Sequence, residues 1–72
     1  MSRTEFIRRR LRRLDQGDWC LFTVEGLWCR DLAHARSEVA ATGARLFGRG
    51  WLSTRIEAGM VRAIRRKPLS CA

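Results

Sequence analysis

The residues best equipped for chemistry in this chain are arginines that alternate with apolar residues in WLSTRIEAGMVRAIRRK, residues 51–67. Ala58-Gly59 at its centre favours a tight turn, so the segment is predicted to form a β-hairpin. Folding at that turn places Ile56 opposite Val61 on a largely apolar face, because side chains alternate along a strand. The opposite face then carries Trp51, Ser53, Arg55, Glu57, Met60, Arg62, Ile64 and Arg66.

Arginine offers a planar fork of N–H donors that suits phosphate groups and guanine edges. The chain has 15 Lys+Arg against 7 Asp+Glu, a formal net charge of +8, and lysine occurs only at Lys67. A GC-rich genome would also favour arginine codons, but it would not decide where the arginines lie. The charge predicts an acidic partner, with nucleic acid first among the candidates and DNA favoured over RNA.

Arg55 and Arg62 are predicted to face each other across the hairpin, and facing like charges weaken a sheet by a few tenths to about 1 kcal/mol. A polyanion would offset this repulsion, and a two-stranded ribbon fits the major groove of DNA. Trp51 would stack or pack at the rim, and Arg49 would extend the contact. The alternative is a face that simply lies in water, with Trp51 and Ile64 covered by the first helix.

A second basic region is the N-terminal helix, predicted over residues 2–14 because Ser2 and Glu5 have the spacing of a capping box. Its arginines could lie along a phosphate backbone or an acidic protein surface, or remain solvated. A membrane surface is disfavoured because the apolar stripe of this helix is narrow. The candidate binding residues of both regions are Arg8, Arg9, Arg12, Arg13, Arg49, Trp51, Arg55, Arg62 and Arg66.

Other chemistry has little support in the sequence. Cys20, Cys29 and Cys71 are odd in number and widely spaced, unlike a disulfide framework or a zinc pair. A metal site on Cys29 and His34 would need two further ligands that the chain hardly supplies. His34 has no Ser or Asp partner placed as a triad, and the carboxylates are scattered. We therefore expect no enzyme, no cofactor and no metal.

The elements that must position these residues have the predicted order α-β-α-β-β. Residues 19–25 are predicted to form a strand, and its two mostly apolar faces suggest a central or doubly covered strand, with the first helix covering the second face. Apolar residues from Trp28 onward step by three or four and place the main helix at residues 32–47, with Asp31 as its cap. Gly43 inside this helix is either a weak point or a place where a strand passes close.

The predicted fold class is α+β, a single domain over residues 1–72 with a three-stranded antiparallel sheet and the main helix packed on one face. The core is expected at about 18–67 and a loose tail at 68–72. Cys20, Phe22, Val24, Leu52, Thr54, Ile56, Val61 and Ala63 are predicted to face the main helix. No apolar run approaches the ~20 residues of a membrane span, and a signal-peptide core is lacking, so a cytoplasmic protein is expected.

The segments CLFTVE, ARSEVAATGARLFGRG and STRIEAGMVRAIRRK together resemble, in layout, the short basic proteins from the early regions of temperate bacteriophages and related mobile elements. The resemblance includes no diagnostic motif and carries over no functional residue. It implies a bacterial host cytoplasm and either DNA binding that regulates phage or host genes, or docking onto a host defence complex as anti-CRISPR proteins do. Many such inhibitors are acidic DNA mimics, so this basic chain would instead cover an acidic patch or bind guide RNA or target DNA.

Three hypotheses for function follow. The first is a nucleic-acid-binding module that uses the hairpin face and the first helix, with affinity that falls steeply with salt. The second is a protein inhibitor or adaptor anchored by apolar residues such as Trp51 or Trp28, whose complex persists at moderate salt. The third is an obligate homodimer formed through an exposed sheet edge or the N-terminal stripe, and it is compatible with either of the others.

Overall fold

A computed structural model describes residues 1–66 of the chain. Its elements are α1 (Arg3–Arg12), β1 (Trp19–Phe22), α2 (Val24–Leu27), α3 (Leu32–Phe47), β2 (Leu52–Glu57) and β3 (Met60–Arg65). The predicted α+β class is confirmed, since the three strands form one antiparallel sheet and α3 packs on it. The predicted tail at 68–72 lies outside the described residues. No helix within residues 1–66 has the length and apolarity needed to span a membrane.

The first helix begins where its cap predicts. The Ser2 Oγ accepts a hydrogen bond from the Glu5 backbone N–H at 3.1 Å, which satisfies one of the free donors of the first turn. The Glu5 carboxylate does not complete a capping box with Ser2 but lies 3.3 Å from Arg8 Nη1 and 3.6 Å from Arg9 Nε. The apolar stripe is buried as its spacing predicts, with Ile7 and Leu11 both at 0% exposure.

The first strand is shorter than predicted, because residues 23–25 form the cap and the start of a short helix. Thr23 caps this helix, α2, by accepting a hydrogen bond from the Gly26 N–H at 2.9 Å through its Oγ1. A Thr hydroxyl that satisfies the backbone locally favours a helix start over a continued strand. The helix ends at Trp28, which has a left-handed backbone with φ of +54°. The predictions that Val24 extends the strand and that Trp28 opens the helical apolar pattern are therefore wrong.

The hairpin forms in the predicted register. Ile56 pairs with Val61 and Arg55 with Arg62, and positive φ angles of 52° and 74° at Ala58-Gly59 make the tight turn. The strand order is β1-β3-β2, so β3 is the central strand and β1 is an edge strand. The prediction that the first strand is central or doubly covered is wrong, because antiparallel pairing with β3 leaves its other edge free.

Both long helices lie on the same face of the sheet. The α1 residues Ile7 and Leu11 share one core with Val39 of α3 and with Phe22 and Val61 of the sheet. The prediction that the first helix covers the second face of β1 is therefore wrong, because the apolar stripe of α1 packs beside α3. Ile56, also predicted to face the main helix, is 43% exposed because it lies at the turn end of the edge strand β2.

The helix α3 approaches β2 through Gly43. A Cβ atom at this position would overlap the Cδ2 of Leu52 and lie 3.0 Å from its Cβ. Of the two alternatives for Gly43, close passage of a strand is therefore correct. The lack of a side chain at Gly43 lets α3 pack close to β2.

We predict that Gly43→Ala lowers the free energy of unfolding, measured by urea denaturation. Alanine gains ~1 kcal/mol of helix propensity over glycine, but overpacking against Leu52 costs about 1–3 kcal/mol. In a Leu52→Ala background the same substitution should cost less stability than in the parent, because the overlapping Cδ2 is gone and only the Cβ contact at 3.0 Å remains. If Gly43→Ala stabilised the protein by a similar amount in both backgrounds, the Leu52 side chain would not be what limits the space at position 43.

Candidate nucleic-acid interface

The face of the sheet that carries no helix, called here the outer face, contains both predicted arginines of the hairpin. Cross-strand pairing places Arg62 of the central strand between Leu21 and Arg55, and Ile64 between Trp19 and Ser53. Met60 and Glu57 form the row next to the turn. The outer face consists of Trp19, Leu21, Ser53, Arg55, Glu57, Met60, Arg62 and Ile64. It is a mixed apolar and basic surface.

The fold itself offsets part of the predicted repulsion between the two facing arginines. The Arg62 Cζ lies 4.4 Å from the centre of the Trp19 ring, and its Nη1 donates to the Glu57 carboxylate at 3.1 Å. A cation over an aromatic face and an ion pair both favour the guanidinium. The Arg62 side chain is only 29% exposed, whereas Arg55 is exposed on the edge strand β2. Arg55 is therefore the more available of the two for a partner.

Trp19 is a residue of this face that the sequence interpretation missed. The sequence predicts that the first helix covers one face of β1, but Trp19 is 51% exposed because α1 packs on the other side of the sheet. Alternation along β1 puts Trp19 on the same face as the hairpin arginines. Together with the position of α1, this alternation would have identified Trp19 as exposed. A shallow cavity of about 200 Å³ lies beside it, lined by Trp19, Leu21, Glu57, Ala58, Met60 and Arg62.

The remaining predicted residues near the hairpin border the outer face. The backbone of Arg66 donates to the Trp51 carbonyl at 2.7 Å, which extends the pairing beyond the strand ends. Trp51 is half-buried, and its ring is so close to Gly48 that a Cβ there would lie 3.4 Å from the ring. Arg49 is exposed in the loop between α3 and β2. Trp51 is thus a partly packed residue, whereas Arg49 and Arg66 are accessible.

The arginines of α1 form a separate surface, because α1 lies on the opposite side of the sheet from the outer face. Arg8 and Arg9 lie near the Glu5 carboxylate, and Arg12 and Arg13 are exposed. A groove of about 570 Å³ runs between α1 and β1. Its lining includes Phe6, Arg9, Arg10, Arg13, Leu14 and Cys20. The structure therefore does not bring the two predicted basic regions together.

Several arginines hold the fold together. Arg65 Nη1 donates to the Leu14 carbonyl at 2.7 Å, and its Cζ lies 4.2 Å from the centre of the Phe47 ring. Arg3 Nε donates to the Leu27 carbonyl at 2.6 Å, which ties α1 to the end of α2. Guanidinium groups that bond to carbonyl oxygens in this way join distant segments of the fold.

Two further titratable residues are Cys20, which lines the groove, and His34 of α3. Burial raises the pKa of the Cys20 thiol, and the neighbouring Arg10 opposes that shift. A raised pKa keeps the sulfur protonated and weakly nucleophilic at neutral pH. His34 Nδ1 accepts from the Arg30 N–H at 3.2 Å, and its Nε2 lies 3.3 Å from the Glu38 carboxylate. Within residues 1–66, no three His, Cys, Asp or Glu side chains are grouped so that they could hold a metal ion.

Comparisons of the chain with family models, with curated proteins and with solved structures find no match. The resemblance to early-region phage proteins therefore stays a prediction.

We predict that Arg55→Glu raises the free energy of unfolding by about 0.2–1 kcal/mol, because it turns a facing like-charge pair with Arg62 into an opposite-charge pair. Urea denaturation would measure the change. Arg49→Glu is the matched control, since it alters the net charge equally in an exposed loop and should stay within about 0.5 kcal/mol of the parent. Equal stabilisation by both variants would show that net charge, and not the cross-strand pair, is responsible.

Proposed function

We propose that this protein is a nucleic-acid-binding domain without enzymatic activity, that its interface is the outer face, and that its role is regulatory, as in the phage and mobile-element proteins it resembles. The observation that carries the proposal is an exposed Arg55 beside the Arg62–Trp19 pair on a sheet face that no element of residues 1–66 covers. A guanidinium on an open sheet can reach phosphate oxygens or the edges of bases. DNA is the favoured partner, with RNA as the alternative.

The electrostatics of the chain support this function. The formal net charge of +8 creates a field that attracts a polyanion before any contact forms. Arg49 and Arg66 are exposed near Trp51, at the end of the hairpin away from its turn, where they would contact phosphates beyond the strand ends. Each phosphate that an arginine neutralises releases counterions, so binding would weaken steeply as salt rises.

The basic residues of α1 have a different role in this proposal. They lie across the sheet from the outer face, so a segment bound at that face does not touch both surfaces at once. Arg9, Arg12 and Arg13 would therefore act through their long-range field, which raises the rate of association more than the specificity. In this proposal the first helix is therefore not part of the contact surface.

We predict that Arg55→Ala weakens the binding of labelled duplex and single-stranded DNA and lowers the slope of log affinity against log salt by about 1, because one phosphate contact is lost. Fluorescence anisotropy at several salt concentrations measures both quantities. The matched control is Arg45→Ala, which removes an exposed arginine from α3 on the other side of the sheet and should leave the slope nearly unchanged. Equal losses in the two variants would mean that only net charge matters, and the outer face would not be the interface.

A second candidate function is docking onto an acidic protein surface, as an inhibitor of a host complex would do. The groove between α1 and β1 favours it, because its lining combines the basic Arg9, Arg10 and Arg13 with the apolar Phe6 and Leu14. Such a site suits an acidic segment with apolar anchors, and its complex would persist at moderate salt. Arg13→Ala would weaken this complex more than DNA binding, for which it removes only one long-range charge, whereas Arg55→Ala would weaken DNA binding more.

A further inference from the structure

The exposed tryptophan of the outer face is held in place by its neighbours. Trp19 is 51% exposed, yet Arg62 lies against its ring with the Cζ 4.4 Å from the ring centre. The Glu57 carboxylate in turn holds Arg62 through a bond of 3.1 Å. Tryptophan is highly buried on average, so a half-exposed tryptophan on a sheet offers a surface on which a flat partner could stack.

The surroundings of this ring are apolar on one side and basic on the other. Leu21 and Met60 line the shallow cavity beside Trp19, and Ile64 pairs with Trp19 across the strands. Phosphate groups alone would leave these apolar surfaces in water. An unpaired base would cover them, since every base has a π-face that stacks on an aromatic ring. In a duplex the bases are stacked on one another and offer only their edges.

We infer that the outer face binds single-stranded nucleic acid, with an unpaired base stacked on Trp19. The inference rests on the proposed function and adds the class of nucleic acid. Arg55 lies two strands away from Trp19 and two residues along β2 from Ser53, which is in register with Trp19, so the two are roughly 12 Å apart from the spacings of strands and residues. A bound strand would therefore cross from β1 over β3 to β2, with its base on Trp19 and its backbone at Arg55.

A second copy of the chain is a poorer occupant of the same face. Two copies packed through it would bring Arg55 and Arg62 of one near the same residues of the other, around a twofold axis. Like charges brought together out of water are unfavourable, and each chain already has a net charge of +8. A polyanion removes that repulsion, so charge complementarity favours the nucleic acid.

The test is anisotropy of a labelled oligothymidine and of a duplex of mixed sequence, each titrated with the full chain. Trp19→Ala should lower the affinity for the single strand by about 5- to 150-fold, the usual effect of removing one stacking aromatic, and change duplex binding less than about twofold. Trp28→Ala is the matched control, because it removes a tryptophan that is 77% exposed at the end of α2 and should leave both affinities unchanged. Trp19→Phe, which keeps a ring, should restore most of the affinity.

The outcomes separate this inference from the proposed function. If Arg55→Ala weakens both ligands but Trp19→Ala weakens neither or both equally, the outer face remains the interface and base stacking is overturned. If neither substitution affects either ligand, the proposed function itself fails. A homodimer in analytical ultracentrifugation that Trp19→Ala dissociates would overturn the inference in favour of a second copy. Thermal unfolding of each variant confirms that it is folded under the assay conditions.

Discussion

The packing of α1 against α3 determines which face of the sheet is covered and which is left open. Ile7 and Leu11 are buried against the same core as Val39, so both long helices occupy one face of the sheet. A three-stranded sheet has only two faces, and a chain of this length has no further element within residues 1–66 to cover the second. The bare outer face is therefore a consequence of how the apolar stripe of α1 is satisfied, and not of the hairpin sequence alone.

The arginines are divided between holding the fold and facing outward. Arg3 and Arg65 each donate to a backbone carbonyl of a distant segment, while Arg62 lies between an aromatic ring and a carboxylate. Arg55 is exposed opposite Arg62, where a like charge weakens the sheet. An arginine that lowers stability at position 55 is consistent with selection for contact with an anion. The solvated arginines of the helices have no such cost, and this distinguishes Arg55 from them.

Local features of the sequence predicted the parts of the fold that depend on neighbours along the chain. The caps at Ser2 and Asp31 and the register around Ala58-Gly59 follow from side-chain chemistry within a few residues. The place of α1 could not be predicted in the same way, because periodicity identifies an apolar stripe but not its partner. For the same reason the exposure of Trp19 was not predicted, because alternation shows on which face of the sheet a residue lies but not whether a helix covers that face. The end of β1 was missed because the Thr23 cap competes with strand continuation.

The outer face combines two properties that place opposite demands on a partner. Its tryptophan and neighbouring aliphatic side chains favour contact with something apolar, whereas its guanidinium groups favour anions and resist burial without them. An apolar protein surface would satisfy the first property and leave the arginines desolvated, and a surface of phosphates alone would satisfy only the second. A nucleotide with its base exposed carries a flat apolar group and an anion a short distance apart, so it can meet both demands in a single contact.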